Sequence, residues 1–105
     1  MNDQSEVIAF LSRPAAYATH PATVEVCETH GALVFLAGGD AWKMKRAVRF
    51  PYMDFSTLDL RHAVLLRELE VNRPFAPRLY LDVVAVARDG RGALALGGAG
   101  TPVEW

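Results

Sequence analysis

Lys43, Lys45, Arg46 and Arg49 crowd into the stretch GDAWKMKRAVRFPY, residues 39–52, beside Trp42, Phe50 and Tyr52, in a chain whose formal net charge is only -1. Cations interleaved with aromatics can grip nucleic acid through phosphate contacts and base stacking. They can also cradle the phosphates of a nucleotide, or form a plain solvated strand face. One carboxylate bears on the choice. Further along, Leu58, Leu60, Val64, Leu65, Leu69 and Val71 cover one broad arc at about 100° per residue, and Glu68 falls inside it while Glu70 falls outside. A carboxylate on the apolar face of a helix is costly unless a cation meets it, and the lysines are the natural partners. The plainer alternative leaves Glu68 at the helix edge, paired with Arg61, Arg67 or Asn72.

The elements that must position these groups follow from period and punctuation. Residues 3–12 predict a short helix with Ser5 as cap, limited by Pro14, and the Pro14 to Pro21 stretch reads as a connector. VEVCETH alternates and ALVFLA is continuously apolar, as in a strand buried on both faces. Gly31 with Thr29 and His30 marks a hairpin turn, and GGD at 38–40 marks a second, leading into the lysine-bearing strand. A two-residue period puts Ala41, Lys43 and Lys45 on one face of that strand and Trp42 and Met44 on the other. The main helix is expected over Ser56 to Asn72, with Ser56 as N-cap, Asp59 three places later and Pro74 closing the far end. A strand around Tyr80 to Ala87, a turn at Asp89 to Gly92 and a strand at Ala93 to Leu96 complete the pattern. The fold class is therefore α+β: an antiparallel sheet of about five strands with the main helix packed on it and a short helix near the start.

Bulk properties bound the rest. At 105 residues, 51% hydrophobic and 22% charged, the chain is expected to form a single domain over 1–105 rather than to be disordered. Cys27 is the sole cysteine, which excludes an intramolecular disulfide and fits a reducing compartment. The opening residues lack a signal-peptide pattern and no apolar run has bilayer-spanning length, so a cytoplasmic protein with no membrane partner is expected. The tail GTPVEW ends on residues of strand character, as in a chain cut short or an edge awaiting a partner.

The order strand, strand, lysine-bearing strand, helix with inward glutamate, strand, strand resembles the small lobe of protein-kinase-like enzymes. More narrowly, ETHGALVFLAGGDAWKMKRAVRFPYMDFSTLDLRHAVLLRELEVNRPFAPRLYLDVVAV, residues 28–86, resembles the amino-terminal portion of the aminoglycoside-phosphotransferase-like family, of the type often fused to a second ATP-binding domain. The likeness extends over roughly residues 3–105, and the run from Lys43 to Leu58 is its most specific part. It implies a nucleotide-binding lobe taking ATP with Mg2+. Lys43 or Lys45 would contact the α- and β-phosphates, oriented by Glu68. Ala41 would roof the adenine, which favours Lys43, its neighbour two residues on. Gly31 and His30 occupy the place of a glycine-rich loop, although Gly31 stands alone there without G-x-G-x-x-G, and His30 reads as a turn residue.

The resemblance also implies a large lobe carrying a catalytic aspartate and metal-binding residues. None of these is in the sequence, so this chain alone is expected to be inactive in phosphoryl transfer. Its partners would be that missing lobe or a second copy docked on the exposed face. Two other classes compete. A basic-aromatic nucleic-acid module is opposed by a pI near 6.3, since such domains usually carry a basic excess. A structural domain could dimerise through an edge at Val103 to Trp105.

Overall fold

The computed structural model describes residues 3–76, 78 and 80–105. It is an α+β fold. Helix α1 spans Ser5–Leu11 and a single 3-10 turn follows at Pro14–Ala16. Strands β1 (Val24–Glu28), β2 (Ala32–Ala37) and β3 (Asp40–Lys45) form an antiparallel meander. A two-stranded ribbon of β4 (Arg49–Phe50) and β5 (Met53–Asp54) leads to helix α2, Leu58–Asn72. Strands β6 (Val86–Arg88), β7 (Leu94–Leu96) and β8 (Thr101–Glu104) make a second three-stranded sheet in the order β7-β6-β8. Among the described residues, the single sheet of about five strands is thus replaced by sheets of three, two and three strands.

The meander follows its sequence closely. Ala37 pairs with Asp40 across Gly38 and Gly39, and Gly38 has φ +62°, the left-handed backbone that a two-residue hairpin turn requires. Pleating sends Leu33, Phe35, Ala37 and Met44 to one side, where they meet Val7 and Leu11 of α1, Tyr17 and Val86 to form the core. β2 is not buried on both faces, because Leu36 on the opposite side stays open to solvent. β1, at the edge, leaves Val26 exposed despite its apolar alternation.

The second sheet departs further from expectation. Residues 80–85 are not strand, because β6 pairs only where its neighbours reach it, with Val86 opposite both Leu96 and Glu104. The tail expected to await a partner has one within the chain: β8 pairs with β6 through an irregular register at Val86 and Ala87. Pro102, which lacks an N–H, is tolerated on this outer strand. Trp105 then stacks on His62 of α2, ring centroids 3.6 Å apart.

Helix α2 starts one residue later than Ser56 implies. Thr57 is the N-cap, its hydroxyl accepting from Leu60 N, while Ser56 bonds Asp54 through both its amide and its hydroxyl. Those two bonds, with Arg49 nearby, hold the Asp54 carboxyl below its usual range. Of the expected apolar arc only Leu65 is buried, and Leu60 and Val71 lie exposed. The inward stripe is Arg61, Leu65, Glu68 and Asn72, spaced at helical intervals, so polar contacts seat this helix.

Tyr17 carries a consequence for pH. It is buried, its hydroxyl donates to the Leu11 carbonyl, and its ring lies 5.8 Å from Trp42. Burial pushes its phenol up to about 12. The folded state holds this proton more tightly than the unfolded chain, whose tyrosines ionise near pH ~10. The stability is therefore fully present below that value and is lost as pH rises toward 12. An alkaline absorbance titration should show a phenolate step near 12 that Tyr17→Phe removes; persistence of the step in the variant would refute the assignment.

Candidate functional site

β3 delivers Ala41, Lys43 and Lys45 to one face, and α2 delivers Glu68 to the same place. Lys45 Nζ donates to Glu68 Oε1 in a close ion pair, and Lys43 Nζ lies 3.7 Å from Glu68 Oε2. One carboxylate thus faces both lysines. Their environments differ: the Lys45 side chain is 10% exposed and that of Lys43 is 45% exposed. Lys45 also sits 5.4 Å from the centroid of the Phe55 ring, within cation–π range. Lys45 is therefore the held lysine and Lys43 the more accessible one. Spacing from Ala41 favours Lys43, but the buried pairing favours Lys45 instead, because α2 meets β3 at the Lys45 end.

Two of the plainer partners of the Glu68 carboxylate are engaged elsewhere. Arg61 is committed to Glu104, and the Asn72 amide donates to the Glu68 main-chain carbonyl rather than to its carboxylate. Arg67 is exposed.

A small cavity of about 100 Å³ lies against β3, its lining including Ala41 and Lys43 together with the core residues Leu11, Phe35 and Met44 and Leu65 of α2, but neither Lys45 nor Glu68. Sites that enclose a ligand usually reach about 300–1,000 Å³, so this cavity is too small to surround a drug-sized ligand. Donors for phosphate are present. For a divalent cation, no group of three His, Cys, Asp or Glu side chains converges among the described residues, so the metal fit of this chain alone is poor.

Gly31 and His30 have packing roles. A Cβ at Gly31 would come 2.9 Å from Met53 Sδ and 3.2 Å from Phe55 Cε2, so the absent side chain lets the turn lie against β5. His30 packs on Phe50 with centroids 4.4 Å apart, and its Nε2 shares a hydrogen bond of 2.8 Å with the Tyr52 hydroxyl. The remaining cations are used locally. Arg46 donates to the His30 carbonyl and pairs with Glu28 at 3.4 Å, while Arg49 lies 3.7 Å from Asp54. The basic stretch of residues 43–49 is therefore largely compensated by the chain's own carboxylates and carbonyls.

Sequence reasoning missed a buried pair. Arg61 is 0% exposed and Glu104 1%, and they form a two-pronged ion pair, Nε to Oε1 at 2.9 Å and Nη2 to Oε2 at 3.1 Å. The signal in the helix was available, since Arg61 precedes Glu68 by seven residues and shares its face. Nothing local marks Glu104.

The chain is similar to an uncharacterised protein of Mycobacterium bovis and to uncharacterised proteins of two Mycobacterium tuberculosis strains, each 40% identical over 68 residues covering 61% of this chain. The match covers 14% of each of these much longer relatives. No protein-family model matches the chain. No solved structure matches it either. No helix among the described residues is long and apolar enough to cross a membrane.

Proposed function

We propose that this chain is the nucleotide-binding lobe of an aminoglycoside-phosphotransferase-like small-molecule kinase, with Lys45 as the phosphate-binding lysine. The observation that carries the reading is the Lys45–Glu68 ion pair between β3 and α2. A carboxylate that anchors one N–H of an ammonium orients the other two toward a neighbouring oxyanion. Lys43, exposed and close to the same carboxylate, adds positive charge at the mouth of the site, and Ala41 leaves space for a flat base beside it. Catalysis needs more than this lobe. Metal ligands and a catalytic aspartate would come from a second lobe, so Mg-ATP binding to the 105-residue chain is expected to be weak and phosphoryl transfer absent.

The other partner follows from the surface. Leu66, Val71, Phe75 and Leu81 are exposed, an apolar excess that suits docking of the large lobe or, without it, self-association. The cytoplasm is the proposed location, where Mg-ATP is abundant and the exposed Cys27 stays reduced.

The test is a titration of the 105-residue chain with Mg-ATP followed by backbone NMR. Shifts should gather on residues 41–45 and around Glu68, vanish in Lys45→Met, and weaken in Glu68→Gln and Lys43→Ala. A folded protein without shifts at millimolar Mg-ATP, or one equally responsive in Lys45→Met, would overturn the reading.

A further inference from the structure

The buried Arg61–Glu104 pair belongs to a longer circuit. Gln4 Nε2 donates to Glu104 Oε2 at 2.9 Å and is also 2.9 Å from the main-chain carbonyl of Lys45, and Gln4 Oε1 accepts from Ala47 N at 2.8 Å. Arg61 Nη1 donates to the Phe55 carbonyl just before α2. Polar contacts therefore run from α2 through Glu104 and Gln4 to the backbone of Lys45. The Lys45 side chain returns to α2 at Glu68, closing a ring. Among the described residues no buried side-chain nitrogen or oxygen lacks a hydrogen-bond partner.

We infer that Gln4, Arg61 and Glu104 are positioning residues, which together set the register of α2 against β3 at which Glu68 reaches Lys45. Arg61 and Glu68 are two turns apart on one helix face, about 10.5 Å along the axis, so fixing the first restrains the second. Apolar burial is not directional, and α2 buries only Leu65 among its apolar residues, which would let the helix slide or roll. A guanidinium fork on a carboxylate is directional. Nor is stability the obvious benefit, since buried ion pairs are often replaceable by apolar residues without loss. What such a replacement removes is the defined register. The consequence for phosphate binding rests on the function proposed above; the positional claim does not.

The experiment uses the 105-residue chain and the nuclear Overhauser effect between the Lys45 ε-methylene and the Glu68 γ-methylene. The wild type should show it. The double variant Arg61→Met/Glu104→Leu should keep the side-chain signals of the Phe35 and Met44 core, yet the Lys45–Glu68 cross-peak should disappear. Gln4→Ala, which cuts the circuit while leaving both Arg61 and Glu104 in place, should weaken it. A cross-peak of wild-type intensity in the folded double variant overturns the inference. Should the double variant not fold, an undiminished cross-peak in Gln4→Ala overturns it equally, as does a wild type that shows none. If the wild type gives no Mg-ATP shifts while the cross-peak still disappears in the double variant, the nucleotide reading falls and the positioning role stands.

Discussion

Glu104→Leu is expected to lower the free energy of unfolding by about 3–5 kcal/mol, the range found when one partner of a buried ion pair is removed. Arg61 would keep its charge at a site with 0% exposure and retain only the Phe55 carbonyl at Nη1. Gln4 would at the same time lose its bond to Oε2. A domain of this size has net stability of about 5–15 kcal/mol, so the variant should unfold at much lower denaturant, with the slope of the transition unchanged. Arg61→Met should cost a similar amount, leaving the buried Glu104 carboxyl with only Gln4 Nε2 and Trp105 N as donors. The two losses should not add in the double variant, because each removes the same pair. Urea unfolding of the four proteins measures this directly, and additive losses would show that the residues act independently.

Phe35→Ala should cost about 3–5 kcal/mol. Phe35 is fully buried, lies in the middle of β2 and pairs in register with Val26 on one side and Trp42 on the other. Its ring belongs to the cluster where α1, the meander and β6 meet, so the cavity would open where three elements share one core. Collapse is hindered because the strands are held by their ladders, and an exposed Glu6–Arg88 ion pair also joins α1 to β6. That pair also holds the Glu6 carboxyl below its ordinary range, although exposed pairs contribute little to stability. Leu36→Ala, one residue along but on the open face, should cost far less. Thermal unfolding of the two variants compares them, and equal losses would mean that the core does not lie on the Phe35 side.

Periodicity and turn chemistry determined the meander, because its signals are local: alternation in β1 and β3, a continuous apolar run in β2, and a Gly38-Gly39 turn in which Gly38 takes the left-handed backbone. The extent of α2 was nearly readable for the same reason, with an error of one residue at its cap. Glu68 could be singled out since a carboxylate inside an apolar arc implies a cation, and two lysines of one strand face were the candidates. Which lysine lies closer could not be read, because both share that face and only where the Glu68 carboxylate reaches β3 distinguishes them. The apolar arc itself misled: Leu60 and Val71 are exposed, since α2 turns the stripe of Arg61, Leu65, Glu68 and Asn72 inward instead. Glu104 was out of reach altogether. It is separated from Arg61 by 43 residues, and a pairing over that distance is set by how β8 docks on β6, not by any pattern within either segment. Tertiary structure alone decided where the buried charges meet, because only the assembled fold determines which polar groups lose water together.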